Sequence, residues 1–277
     1  MDTSASTSPR TKVTVPEIAA MKAAGTKIAM ITAYDATFAR LVDDAGVDTI
    51  LVGDSAGMVI AGGSTTLAVD LDEMTYHVRS VARARPAALV VGDLPFGSYQ
   101  IGPEQAIESS VRLLKAGAEC VKLEGGTSME HTIAALTRVD IPVVGHIGLT
   151  PQSVHRMGGH RVQGRSTGME AGQRERLMDD ALAVERAGAF AIVIEGVPRS
   201  LAAEMTAKLA IPTIGIGAGP DCDGQVLVLH DVLGLSGQQF KFAKRYADLG
   251  ATAMAATRGY VDEVRSGVWP DDEHSFH

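Results

Sequence analysis

The sequence has little of several features that mark particular classes of protein. Only two of its 277 residues are cysteine, and the aromatic fraction is 4%. Two cysteines without CxxC spacing provide neither a disulfide framework nor a cysteine-based zinc site, so we expect free thiols. The longest apolar runs, such as residues 87–91, fall far short of the roughly 20 residues that a membrane-spanning helix needs. We therefore expect no membrane segment.

Positive charge is also scarce, with 25 Lys and Arg residues against 33 Asp and Glu residues and a net charge of −8. A nucleic-acid partner requires a basic face, and the sequence contains no block of Lys or Arg, so we expect no nucleic acid. The first residues, MDTSASTSPR, are rich in Ser and Thr and lack the apolar segment of a secretory signal. We expect residues 1–12 to form a disordered lead-in and the protein to be cytoplasmic.

Short β-branched runs alternate with longer amphipathic stretches along the rest of the chain. The predicted strands cover residues 27–32, 49–53, 88–92, 119–124, 142–147, 190–195, 212–217 and 225–230. Eight β/α units in about 250 residues match the size of a (β/α)8 TIM barrel. The rival fold, an open doubly wound sheet, normally carries a GxGxxG turn after its first strand, and residues 33–36 read AYDA instead. We predict an α/β fold with a single barrel domain over residues 13–277.

Several signals set the helix boundaries. Asp70 is placed to cap a helix, and Gly46, Gly117 and Gly188 stand where three helices end and a left-handed residue costs least. An extra helix over residues 15–24 precedes the first strand and could close the N-terminal end of the barrel. Residues 238–267 are predicted to form a C-terminal helical extension that could serve subunit contacts.

Acidic residues stand at the ends of neighbouring strands, where barrel active sites form. Asp54, Asp93 and Glu124 would converge there, and hard carboxylate oxygens without nearby Cys or paired His ligands suit Mg²⁺. We expect Asp54 and Asp93 as direct ligands and Glu124 as a ligand directly or through water. The alternative is that each Asp only caps the helix that follows, because Asp is a favoured cap residue.

Other ionisable residues end strands 4, 5 and 6. Lys122 and Glu124 are two apart and leave the same face of the sheet, so the pair serves the substrate if it faces inward and is a minor ion pair if it faces outward. Glu195 ends the apolar run 190–194, where partial desolvation would make it a usable general base. His146 is either a hydrogen-bonding or acid–base group or a histidine satisfied in the core.

These residues lie within motifs that resemble one family, the ketopantoate hydroxymethyltransferases, over nearly the whole chain. The motifs are TAYD at 32–35, VGDS at 52–55, DLPFGSY at 93–99, VKLEGG at 121–126, GHIGLTPQS at 145–153, VQGR at 162–165, GIGAG at 215–219 and CDGQVL at 222–227. Together they are far more specific than any one of them alone.

The resemblance implies the first committed step of pantothenate biosynthesis, in which a hydroxymethyl group passes from 5,10-methylenetetrahydrofolate to 3-methyl-2-oxobutanoate and gives 2-dehydropantoate. It implies that Asp54, Asp93 and Glu124 serve magnesium, that Ser55 and Lys122 hold the 2-oxo acid, and that Glu195 accepts the proton. We also count Asp54, Asp93 and His146 among the substrate-binding residues. The folate co-substrate and a homodecamer are implied by the resemblance alone.

Two other functions remain open at this point. A magnesium-dependent lyase or mutase of the phosphoenolpyruvate mutase and isocitrate lyase kind also handles enolates in a barrel. Such lyases typically use a cysteine on a mobile loop, and neither Cys120 nor Cys222 is clearly placed for that role. A barrel that only binds a metabolite would leave the whole set of strand-end ionisable residues unexplained.

Overall fold

The computed structural model describes residues 10–159, 162–164, 172–237 and 239–276. Most of the predicted lead-in, residues 1–9, lies outside the described residues. The chain divides into two compact units, Met1–Val228 and Leu229–His277. The assignment of residues 13–277 to one domain stays a prediction.

The first unit is a closed barrel of eight parallel strands in sequential order, as predicted for a (β/α)8 fold. Each strand pairs with its neighbours in the chain, and β8 pairs with β1 to close the barrel. The strands are β1 Ile28–Thr32, β2 Thr49–Val52, β3 Leu89–Asp93, β4 Cys120–Glu124, β5 Val143–Gly148, β6 Ala191–Glu195, β7 Thr213–Ile216 and β8 Gly224–Leu227.

Helices follow the strands, and their ends agree with the sequence signals. Asp70 caps one helix and exchanges hydrogen bonds with Glu73 in a capping box. Gly46, Gly117 and Gly188 all have positive φ angles. The α-helices of the described residues are α1 Val15–Ala23, α2 Ala36–Asp44, α3 Ala56–Val59, α4 Leu71–Ala82, α5 Pro103–Ala116, α6 Glu130–Arg138, α7 Val154–Met157, α8 Gln173–Arg186, α9 Arg199–Lys208, α10 Leu229–Leu233 and α11 Leu249–Ser266.

One apolar cluster joins residues from all eight strands with Ile18 of α1. Strands around a closed barrel can share one cluster only in the interior, so these side chains fill the barrel. Ile18 is 2% exposed in this cluster, which agrees with the expectation that the extra helix closes one end. Residues two apart on a strand face the same side, so the positions that follow the cluster also point inward. Val91, Cys120, Val144 and Val193 belong to the cluster, and Asp93, Lys122, His146 and Glu195 follow them by two positions.

Two boundaries near the C-terminus were predicted wrongly. The last strand ends at Leu227 rather than at residue 230, because the next residues turn into helix α10. The C-terminal helix begins at Leu249, after Asp248 caps it, so the predicted helix over 238–248 is wrong for the residues described there. In the part of the chain that the structure covers, we find no helix both long and apolar enough to cross a bilayer.

Candidate active site

The ionisable residues predicted at the strand ends do come together at the C-terminal end of the barrel. We call Asp54, Asp93, Lys122, Glu124, His146 and Glu195 the strand-end cluster. The first five are at most 6% exposed, and the Glu195 side chain is 15% exposed. Asp54 does not cap the helix that follows it, since α3 has Ser55 as its N-cap and no side-chain capping bond. Helix capping therefore does not explain this acidic residue.

Asp93 and Lys122 form a buried ion pair, with 2.8 Å between Oδ1 and Nζ. The two residues are register partners on β3 and β4, so the barrel itself brings them together. The other oxygen of Asp93 accepts a hydrogen bond of 3.1 Å from the Asp54 backbone N–H. Burial lowers the pKa of Lys122, but the surrounding Asp93, Glu124 and Asp54 outweigh it and raise that pKa. Lys122 is therefore a cation, and it faces inward rather than forming a surface pair with Glu124.

His146 lies between two carboxylates. Its Nδ1 is 3.2 Å from Glu124 Oε1, and its Nε2 is 3.2 Å from Glu195 Oε2. Burial and the nearby Lys122 lower the pKa of His146, but the contacts with Glu124 and Glu195 outweigh them and raise it to about 9. A pKa raised in this way favours the protonated imidazole at neutral pH, the form that links the two carboxylates.

Asp54 has the least compensated charge of the three predicted metal ligands. Burial, with Asp93 and Glu124 nearby, raises the pKa of Asp54 well above its usual value. Burial also raises the pKa of Asp93, although Lys122 opposes it. Burial would raise the pKa of Glu124 too, but His146 and Lys122 lower it overall. The cluster thus holds more negative charge around Asp54 than its two cations neutralise.

Gln152, which the sequence reasoning did not select, connects the carboxylates. It lies in a short 3₁₀ turn, Pro151–Ser153, just after β5, and it is 6% exposed. Its Nε2 donates to Asp54 Oδ2 at 2.9 Å, and its backbone N–H donates to Glu124 Oε2 at 3.0 Å. The Tyr99 hydroxyl donates to Gln152 Oε1 at 2.6 Å. Gln152 therefore fixes the orientation of two carboxylates, and Tyr99 fixes Gln152.

Ser55 stands at the edge of the cluster. Its hydroxyl lies 2.8 Å from the Tyr34 hydroxyl, so the side chain is held in place beside Asp54. Tyr34, which follows β1, is a second aromatic residue of the site that sequence reasoning missed. Tyr34 lies within the motif TAYD and Tyr99 within the motif DLPFGSY, and these motifs were the sequence signal that could have identified both residues.

The donor atoms of the cluster fit a hard divalent cation in their chemistry. Asp54, Asp93 and Glu124 offer only oxygen, and Asp93 Oδ1 and Glu124 Oε1 are buried atoms without a well-aligned hydrogen bond. As the side chains stand, however, no three His, Cys, Asp or Glu residues in the described ranges surround a common point closely enough to hold a metal ion. The carboxylates instead contact Lys122, Gln152 and His146, so metal binding would require them to turn.

The fold and the strand-end cluster together define a barrel enzyme with a buried acid–base site at the C-terminal ends of its strands. Residues 12–272 match the sequence model of one family, described as ketopantoate hydroxymethyltransferase. The chain belongs to the ketopantoate hydroxymethyltransferase family, and it is a transferase.

Curated relatives agree with this assignment over almost the full length. A 3-methyl-2-oxobutanoate hydroxymethyltransferase of Pelobacter propionicus is 59% identical over 270 residues, which cover 97% of this chain and 98% of that protein. The enzymes with the same name from Trichlorobacter lovleyi and Moorella thermoacetica are 58% and 54% identical. Each of these matches covers 96% of this chain. The match covers 99% of the Trichlorobacter lovleyi protein and 98% of the Moorella thermoacetica protein.

Solved structures with a similar fold are more distant in sequence. A 2,3-dimethylmalate lyase, a member of the phosphoenolpyruvate mutase and isocitrate lyase superfamily, has a TM-score of 0.61 at 17% identity and covers 96% of this chain and 93% of its own. A phosphonopyruvate hydrolase in complex with oxalate and Mg²⁺ has a TM-score of 0.60 at 14% identity, covering 95% and 92%. At these identities the likeness concerns the fold alone.

Proposed function

We propose that this protein transfers a hydroxymethyl group from 5,10-methylenetetrahydrofolate to 3-methyl-2-oxobutanoate and gives 2-dehydropantoate, in a magnesium-dependent reaction at the strand-end cluster. Family membership supports the reaction. The observation that carries the assignment to this site is the buried set of three carboxylates beside two cations, Lys122 and His146. A barrel that only bound a metabolite would gain nothing from burying so many charged groups, since each costs free energy to desolvate.

We assign the magnesium ion to Asp54, Asp93 and Glu124. The poorly compensated charge of Asp54 and the all-oxygen donor set support this assignment. When bound, the ion would supply Lewis acidity to the keto and carboxylate oxygens of the 2-oxo acid. Glu124 serves the ion directly or through water, since its two oxygens also contact His146 and Gln152.

The protein's own groups have distinct tasks in this proposal. Glu195, the most exposed carboxylate of the cluster, removes the C3 proton. Lys122 stays charged and attracts the substrate carboxylate, while Ser55 binds the 2-oxo acid from the cluster edge. The protonated His146 holds Glu124 and Glu195 in place and stabilises negative charge that develops between them.

Turnover tests this proposal directly. Purified protein with 3-methyl-2-oxobutanoate, 5,10-methylenetetrahydrofolate and Mg²⁺ is expected to form 2-dehydropantoate, followed by mass spectrometry. EDTA should stop the reaction and excess Mg²⁺ should restore it. Without folate, deuterium from solvent should enter C3 of the oxo acid, a reaction expected of neither a lyase nor a binding protein. Absence of both product and exchange would reject the proposed function.

We also propose that the protein is a homodecamer. Helix α11 has 18 residues, none of them buried within the described chain, and exposes the apolar residues Met254, Tyr260 and Val264. An apolar helix face of this kind commonly serves an interface. Light scattering is expected to give roughly ten times the chain mass of 29.0 kDa. A monomer mass at micromolar concentration would contradict this assembly. The cytoplasmic location stays a prediction.

A further inference from the structure

A cavity of about 410 Å³ opens beside the strand-end cluster, on the side of β4, β5 and α8. Glu124, Gln152 and Tyr99 form its inner end, and the turn after β4 and the first turns of α8 form its walls. Its volume lies within the range of small-ligand sites, roughly 300 to 1,000 Å³. One end of a ligand in this cavity would therefore contact the strand-end cluster, and the rest of the ligand would lie along the cavity walls.

The wall after β4 packs closely against α8 and is shaped by glycine. A Cβ atom at Gly126 would lie 2.1 Å from the Cβ of Asp180, so only glycine allows α8 to approach this turn. Asp180 Oδ1 accepts hydrogen bonds of 2.8 Å from both the backbone N–H and the hydroxyl of Thr127. The cavity is thus preformed by the fold, which favours binding because little ordering is required.

The lining combines apolar surface with two arginines. Phe96, 49% exposed, Met157 and Leu177 contribute apolar surface, and Phe96 is one of few aromatic residues in the chain. Arg156 on α7 and Arg176 on α8 line the cavity and are exposed, as expected of residues at its mouth. Neither guanidinium has a partner among the residues that the structure describes.

Two other arginines of helix α8 have acidic partners. On the same helix α8, Arg174 pairs with Glu204 and Arg186 pairs with Glu130. Within the described ranges Arg176 has no such partner, although the chain carries a net charge of −8 and acidic residues are plentiful. A guanidinium binds a carboxylate through two parallel hydrogen bonds, so two arginines that line one cavity suit an anionic ligand.

We propose that this cavity binds the folate co-substrate, with Arg156 and Arg176 binding the carboxylates of its glutamate tail at the mouth. This inference rests on the proposed function. The pterin and aminobenzoyl portions are flat and largely apolar, which fits Phe96 and the apolar wall, and their inner end meets Glu124 and Gln152. The 2-oxo acid is not the occupant, because its carboxylate is matched by the buried Lys122 rather than by exposed arginines.

The test uses Arg156→Gln, Arg176→Gln and the double variant in the full-length protein. Each single change is expected to raise KM for 5,10-methylenetetrahydrofolate roughly 3- to 10-fold, with kcat nearly unchanged, because an exposed charged contact contributes modestly to binding. Folate-free deuterium exchange at C3 of 3-methyl-2-oxobutanoate should keep the wild-type rate. Arg138→Gln, an exposed arginine at the far end of α6, is the charge-matched control and should change neither value.

A substrate without the glutamate tail makes the test specific. With 5,10-methylenetetrahydropteroate the variants and the wild type should have the same KM, because the groups that the arginines bind are missing. An unchanged KM for the folate substrate, or an equal increase with both substrates, would overturn the assignment of the tail. If the wild-type protein itself showed neither exchange nor transfer, the proposed function would fail instead, and this assignment with it.

Discussion

Asp54→Asn and Asp93→Asn are each expected to lower kcat roughly 10²- to 10³-fold at saturating magnesium. Both changes remove a carboxylate assigned to the ion while keeping the size of the side chain. Lewis-acid stabilisation by a bound metal contributes several kcal/mol to the transition state, and each tenfold in rate corresponds to about 1.4 kcal/mol. Turnover measured over a range of Mg²⁺ concentrations should show both a lower maximum and a higher concentration for half activity.

The fold should survive these substitutions, and Asp54 offers a sharper check of stability. The pKa of Asp54 is raised in the folded protein, so the folded state disfavours ionisation of this carboxyl, and this costs stability at every pH above the unfolded pKa. Asn removes that charge and still accepts the hydrogen bond from Gln152. Without metal at pH 7, Asp54→Asn should therefore unfold at the same denaturant concentration as the wild type or at a higher one.

Asp44→Asn is the matched control, because Asp44 is exposed at the end of α2 and lies outside the cluster. It should leave turnover and magnesium dependence unchanged. If Asp54→Asn and Asp93→Asn stay folded and keep the magnesium dependence of the wild type, the assigned metal site is wrong.

The sequence was sufficient to predict the barrel, since each of the eight predicted strands overlaps an observed one. Alternation of apolar strands with amphipathic helices, with glycine at three helix ends, fixed the architecture. The errors fall where the pattern is ambiguous. Residues 226–229 form a short apolar run that periodicity cannot assign to strand or helix. The helix after residue 248 carries its own signal, an Asp N-cap, which was overlooked.

The site was predicted as far as two features of the strands allow, namely which residues face inward and the order of the strands around the barrel. Inward-facing residues at the C-terminal ends of β3 to β6 must converge, because a barrel has one interior. Gln152 was missed since it lies in a turn after β5, and no periodicity indicates where a turn points its side chain. Its contacts with Asp54, Glu124, Leu94 and Tyr99 depend on how several strand-end segments meet, which only the folded chain shows.

Glu195→Gln is expected to slow turnover roughly 10²- to 10⁴-fold, the usual cost of losing a general base. Gln keeps the shape of the side chain but accepts no proton, so binding of the 2-oxo acid and of magnesium should change little. The decisive measurement omits folate and follows the entry of solvent deuterium into C3 of 3-methyl-2-oxobutanoate by NMR, which isolates enolisation from carbon–carbon bond formation. Glu195→Asp, which keeps the carboxylate but shortens its reach, is the companion variant and should recover part of the exchange rate.

His146 is the alternative base, and the same variant separates the two assignments by the sign of the effect. Contacts with Glu124 and Glu195 raise the pKa of His146 to about 9, so at pH 7.5 most of the imidazole is protonated and has no free lone pair. Glu195→Gln removes one of those carboxylates, which lowers the pKa of His146 and increases the neutral fraction at that pH. If His146 were the base, exchange in the variant would therefore be faster than in the wild type near neutral pH, and the wild-type rate would climb as the pH approached 9. If Glu195 is the base, exchange in the variant stays low at every pH between 6 and 10, because the deprotonated His146 that accumulates there does not replace it.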